Sequence, residues 1–126
     1  MTSAQISCET SIKFSENQNM TETTFPALGC VFLADYGERV YRVAFANDGE
    51  TLRWAENSAT DFDAVAVTET YRAIPIRDGV FMVTWKESDG TTVTHVEDFE
   101  NGIVHGAITL PDHTFLTLKG TWTRLR

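Results

Sequence analysis

The sequence predicts an all-β domain, an up-and-down antiparallel β-barrel of about eight strands, and three observations carry that expectation. Thr, Val and Ile supply 34 of the 126 residues and aromatic residues a further 11%, a composition suited to the pleated, half-buried surface of a strand. From Phe25 onward, short runs of such residues alternate with glycine-containing turns at roughly 10- to 14-residue spacing, and no window of about 12 residues repeats its apolar positions at the helical period. The turns themselves are explicit. Tyr36-Gly37, Asp48-Gly49, Asp78-Gly79, Asp89-Gly90 and Asn101-Gly102 are dipeptides favoured where a hairpin needs a positive φ.

Taken in order, strands are expected near 30–35, 39–46, 51–55, 64–76, 80–87, 92–99, 103–110 and 114–124. Closing eight strands into a barrel removes the exposed edges of an open sheet. A two-sheet sandwich is the alternative that the pattern leaves open. Residues 1–24 are polar, rich in Ser, Thr, Glu and Asn, with one apolar-alternating patch from Ile6 to Phe14. They read as an N-terminal tail, an extra strand or a lid over a barrel mouth, ahead of a single barrel domain at 25–126.

A chain of this length buries one core. Its net charge of −8 repels phosphate backbones, so nucleic acid is not the expected partner. No apolar run approaches the roughly 18 residues of a membrane span, and the start lacks a basic stretch followed by an apolar one. The expectation is a cytoplasmic protein without a membrane partner, in which Cys8 and Cys30 are free thiols. The Asn19-Met20-Thr21 sequon matters only if the protein is secreted. The three histidines, His95, His105 and His113, lack metal-ligand spacing and there is no Cys-x-x-Cys, so no metal is expected. Neither a phosphate-binding glycine loop nor a Gly-x-Ser-x-Gly elbow occurs, and no cofactor is expected.

Two-residue hairpins would fix the strand register. Applied to Asp78-Gly79, Asp89-Gly90 and Asn101-Gly102, that rule sets Arg72 opposite Trp85, Trp85 opposite Thr94, and Asp98 opposite His105. One face then carries Arg72, Ile74, Ile76, Phe81, Val83, Trp85, Thr94, Val96, Asp98, Ile103, His105 and Ala107, and its large apolar residues mark it as the expected interior. The other carries Glu69, Tyr71, Met82, Thr84, Lys86, Val93, His95, Glu97, Val104, Ile108 and Leu110. An outer patch of Met82, Val104, Ile108 and Leu110 suggests a homodimer. A bulge anywhere would exchange the faces beyond it, and Pro75 is a plausible place for one.

The block from Val80 to Pro111 resembles calycin-like (lipocalin-type) barrels, namely MoaF-type proteins and, more distantly, phenolic acid decarboxylases. The residues that carry the resemblance are Thr84-Trp85, Glu87, Gly90-Thr91, His105-Gly106 and Pro111, with Glu69 and Tyr71 ahead of Asp78-Gly79-Val80-Phe81. In the decarboxylases a Tyr-x-Tyr pair on an early strand is thought to hold the substrate carboxylate. Phe32 and Ala34 stand at those positions here, and the expected barrel arginine falls near Ala55, beside Arg53. The resemblance therefore implies a MoaF-like barrel and argues against phenolic acid decarboxylation.

Acid–base chemistry in a closed barrel needs ionisable groups held dry beside the ligand. The expected catalytic candidates are Asp98, His105 and Glu69. Arg72, Trp85, Thr94, Tyr41, Trp54 and Phe81 are the expected ligand-binding residues, Arg72 as an anchor and the rings as pocket wall. The plainer alternative makes Asp98–His105 a buried, mutually satisfied pair and the rings simple core. Three functions follow. The first is a cofactor-free lyase or isomerase that moves a proton on a small aromatic or conjugated carbonyl or acid substrate. The second is a carrier or sensor of a small apolar ligand, and the third an accessory subunit.

Overall fold

The computed structural model describes residues 24–126. They form a closed barrel of eight antiparallel strands in simple up-and-down order: β1 (Val31–Asp35), β2 (Val40–Phe45), β3 (Thr51–Glu56), β4 (Val67–Arg77), β5 (Val80–Lys86), β6 (Thr92–Asp98), β7 (Ile103–Thr109) and β8 (Phe115–Arg124). β8 returns to β1, with Ala34 opposite Trp122, so the barrel replaces the sandwich alternative and leaves no open edge. Closure depends on Gly120. A Cβ there would run into the Asp35 carbonyl oxygen, so any side chain would collide with β1 backbone.

One helical turn, α1 (Phe62–Val65), interrupts the β3–β4 connection where an earlier start to β4 was expected. Asp61 caps it by accepting from the Ala64 N–H. The turn straps the outside of the barrel: Arg42 and Arg53 place their guanidinium groups 5.4 and 5.5 Å from the Phe62 ring centre. Tertiary contacts therefore hold a turn too short to show a helical period.

The strand registers depart from a uniform two-residue hairpin rule, and each departure has a local cause. At Asp78-Gly79 the rule holds, with Arg77 opposite Val80, but a bulge between Pro75 and Arg77 puts Tyr71, not Arg72, opposite Trp85. At Asp89-Gly90 the loop has three residues, because the Glu87 N–H donates to the Thr91 carbonyl and Gly90 takes the positive φ of 99°. Trp85 therefore faces Val93 instead of Thr94. At Asn101-Gly102 the loop has four residues, so Asp98 faces Ile103 and His105 faces Val96. The first two slips are of one residue and exchange faces; the third is of two and preserves them.

The barrel interior is accordingly Phe81, Val83 and Trp85 from the expected face, joined by Glu69, Tyr71, Val93, His95, Glu97 and Val104 from the other, all buried. The apolar patch read as an outer surface is not one. Val104 is fully buried, and Ile108 and Leu110 line an internal cavity. Cys30 is disulfide-bonded rather than a free thiol. The expected tail or lid lies, apart from Thr24, outside the described residues. Among the described residues no helix is long and apolar enough to cross a membrane.

The two barrel ends differ. At the end carrying the β2–β3, β4–β5 and β6–β7 turns, Phe25 packs edge-on against Phe45, Phe81 and Phe99 at 5.2–5.6 Å. Phe32 stacks on Trp122 at 4.7 Å. These rings close that end and leave the site to the other.

Candidate functional site

A cavity of about 230 Å³ occupies the opposite end. Its apolar walls come from Ala34, Val43, Val93, Ile108, Leu110 and Leu116, its aromatic walls from Tyr36, Tyr41, Trp54 and Trp85, and its polar groups from Arg39, Glu87, Asp89, Thr91 and His95. Strand alternation explains the assembly. Residues 32, 34 and 36 lie along the inner side of β1 and its exit, 93, 95 and 97 along the inner side of β6, and 54 and 85 along those of β3 and β5.

A hydrogen-bonded line of three side chains crosses this interior. His95 Nδ1 is 2.9 Å from Glu97 Oε2, and His95 Nε2 is 3.0 Å from the Tyr36 hydroxyl. Glu97 is wholly buried and His95 nearly so. A carboxylate can only accept, so with Glu97 ionised the imidazole carries its proton on Nδ1, and Nε2 accepts from the Tyr36 O–H. Burial holds the Glu97 carboxyl above its ordinary range, and the bond from His95 pulls partly against that rise. Burial also raises Tyr36, helped by the charge of Glu97 and by Tyr41, so Tyr36 stays a phenol at neutral pH. Gly106, directly across from His95, makes room for the line: a Cβ there would sit 3.0 Å from the Tyr36 hydroxyl.

Two further carboxylates are held by indoles. Trp54 Nε1 donates to Glu69 Oε2 at 3.1 Å, and Trp85 Nε1 to Glu87 Oε2 at 3.0 Å. Burial lifts the Glu87 carboxyl above its usual range; the Trp85 bond lowers it, and the charges of Glu69 and Asp89 raise it further.

Of the residues expected from sequence, the structure brings Trp85, Tyr41 and Trp54 to the cavity wall, with Glu69 buried behind Trp54. Phe81 is interior but belongs to the aromatic plug. Arg72, Thr94, Asp98 and His105 lie on the outer face, Arg72 and His105 exposed. Asp98 and His105 are not paired: Asp98 instead accepts from the backbone N–H groups of Glu100 and Asn101 and from the Asn101 side chain. Those bonds, the Asn101 side chain foremost, hold its carboxyl below the ordinary range. The residues that sequence reasoning missed are Tyr36, His95, Glu97 and Glu87. The usable signal was the i, i+2 repeat Val93-x-His95-x-Glu97, which puts one apolar and two ionisable groups on a single strand face.

Residues 28–123 match the family model described as MoaF-like. The chain belongs to the MoaF-like family. The MoaF-like match spans β1 to β8 nearly whole and contains every residue of the Tyr36–His95–Glu97 line. A solved structure from Burkholderia vietnamiensis, described as a "putative beta-lactamase", superposes with a TM-score of 0.74 at 23% identity, covering 82% of this MoaF-like chain and all of the other. At that identity the likeness is one of fold. No curated protein matches the chain. Among the described residues no three His, Cys, Asp or Glu side chains gather as a metal site.

Proposed function

We propose that this MoaF-like barrel binds a small molecule in its open end and acts on it by proton transfer, as a cofactor-free lyase or isomerase for a small aromatic or conjugated ligand. The observation that carries the reading is the Tyr36–His95–Glu97 line, whose outer member, Tyr36, borders the cavity. A wholly buried carboxylate is a poor way to gain stability, because well-packed apolar side chains of similar volume generally do as well or better. Perturbed ionisable groups beside a cleft are a functional signature.

In this reading a ligand C–H proton passes to the Tyr36 oxygen while the Tyr36 O–H proton passes to His95 Nε2. The ligand is left as the conjugate base and His95 as an imidazolium facing the Glu97 carboxylate. Tyr36 begins and ends as a phenol, consistent with its raised pKa. Return of the proton at a different ligand atom completes an isomerisation.

The test starts from thermal-shift binders among small aromatic and conjugated carbonyl compounds. Each is incubated in D₂O with the protein and followed by proton NMR for exchange at carbon. Exchange is expected with the natural chain and lost in Tyr36→Phe and His95→Gln, which should still bind. Binders that exchange no faster than in buffer would leave a carrier and overturn the catalytic reading.

A further inference from the structure

The indole, imidazole and Tyr36 donors at the cavity are engaged with the protein itself. The Trp54 and Trp85 N–H groups donate to Glu69 and Glu87. The His95 Nδ1–H and the Tyr36 O–H are used along the line to Glu97. Thr91 gives Asp89 its backbone N–H. Among the described residues lining the cavity, the side-chain donors left over are the Tyr41 and Thr91 hydroxyls and the guanidinium of Arg39, and Arg39 is exposed at the rim. The groups still offered inward are the second oxygen of Glu87, lone pairs and ring faces. Such a wall suits a ligand that donates and is positively charged, since aromatic faces attract cations and a half-buried carboxylate supplies the counter-charge. An anionic ligand would meet the Glu87 carboxylate with only two neutral hydroxyls, of Tyr41 and Thr91, and the rim guanidinium of Arg39 to satisfy it.

We infer that the cavity takes a small aromatic or apolar amine in its ammonium form, with the head at Glu87 and the body between Tyr41, Trp54 and Trp85. This rests on the small-molecule reading above and names its ligand class. The size agrees: about 230 Å³ falls below the roughly 300–1,000 Å³ of pockets for drug-sized ligands. The charge around the mouth agrees as well. Among the described residues lining the cavity, the carboxylates Glu87 and Asp89 stand against one guanidinium, that of the exposed Arg39.

The experiment uses one apolar body with three heads: phenethylamine, 2-phenylethanol and 3-phenylpropanoate, titrated at pH 7.5 and followed by tryptophan fluorescence and calorimetry. The ammonium is expected to bind at least tenfold more tightly than the alcohol, and the carboxylate more weakly than either. Glu87→Gln should remove most of that tenfold preference while leaving the alcohol's affinity within about twofold. Equal or tighter binding of the carboxylate, or an ammonium preference untouched by Glu87→Gln, overturns the ammonium assignment and leaves the small-molecule reading standing. Failure of all three heads to bind at millimolar concentration overturns both.

Discussion

The two ends of this barrel are built from the same strands yet solve opposite problems. At the closed end, Phe25, Phe32, Phe45, Phe81, Phe99 and Trp122 meet ring on ring with centroids 4.7–6.3 Å apart, and nothing is left to bind. At the open end the rings are Tyr36, Tyr41, Trp54 and Trp85. Three of these four hold an ionisable side chain: His95, Glu69 or Glu87. Aromatic content alone therefore does not distinguish a core from a site. What distinguishes them is whether the polar handle of each ring is tied to a group that titrates. Between the two ends lies Glu97, with Oε2 bound to His95 and Oε1 without a partner. Tyr71 Oη and Trp122 Nε1 are likewise buried without partners among the described residues. Leaving such groups unpaired costs free energy, and the aromatic plug offsets that cost.

The largest effect expected from this division is on stability. Phe81 is 1% exposed and packs edge-on against Phe25 at 5.2 Å, so Phe81→Ala should cost about 3–5 kcal/mol in denaturant unfolding. Leu116→Ala, on the half-buried cavity wall, should cost under about 2 kcal/mol, because the space beside it is already open. Equal losses at the two positions would remove the distinction.

The next effect is on the pH dependence of stability. The folded-state pKa of Glu97 is raised by burial. The protonated form is thus favoured by folding. Its stabilising contribution is complete below the unfolded value of about 4.3 and is lost as pH rises through the folded value. His95 and Tyr36 face the group along the hydrogen-bonded line, and its charge also acts on Tyr71. Glu97→Gln removes this titration, so the variant's stability should gain on that of the natural chain as pH goes from 4 to 8. Denaturation midpoints at the two pH values measure the gain. A constant or reversed difference would mean that the His95 bond, not burial, dominates.

Much of this architecture was legible in the sequence, and the part that was not has a definite physical cause. The barrel, its strand order and its turns could be read because Gly-containing dipeptides mark hairpins and Thr, Val and Ile mark strands. Trp85, Tyr41 and Trp54 could be read as wall because large rings on an alternating strand face inward. The faces could not be read, because Asp89-Gly90 suits a two-residue turn and equally the last two positions of a three-residue loop. One residue decides whether His95 and Glu97, or Thr94 and Asp98, enter the barrel. Nor does sequence locate the bulge, although Pro75, which cannot donate to the ladder, marks where one is tolerated. Tyr36 was hidden for a different reason. It sits beside Gly37 in a turn, and only the barrel's curvature brings its hydroxyl to His95, 59 residues away in the chain.

The smallest effect belongs to a residue that the sequence did flag. The His105-Gly106 pair carried part of the family resemblance, and the structure locates its importance in the glycine: His105 is exposed, while Gly106 is buried against the Tyr36 hydroxyl. Its backbone lacks a positive φ, so alanine is conformationally allowed and any effect must be steric. The added Cβ would lie 3.0 Å from Tyr36 Oη and 3.6 Å from His95 Cδ2. The hydroxyl is the far end of the side chain and would yield by a few tenths of an ångström, lengthening the 3.0 Å bond to His95. Gly106→Ala should therefore cost about 0.5–1.5 kcal/mol, the worth of one hydrogen bond. In a Tyr36→Phe background, where the hydroxyl is gone, the same substitution should cost much less. A double-mutant cycle in denaturant reads that coupling, and the Nε2 resonance of His95 should move in Gly106→Ala as it does in Tyr36→Phe. Additive losses with an unmoved His95 resonance would show that Gly106 serves only the β6–β7 pairing, and that the open end does not depend on it for the Tyr36–His95–Glu97 line.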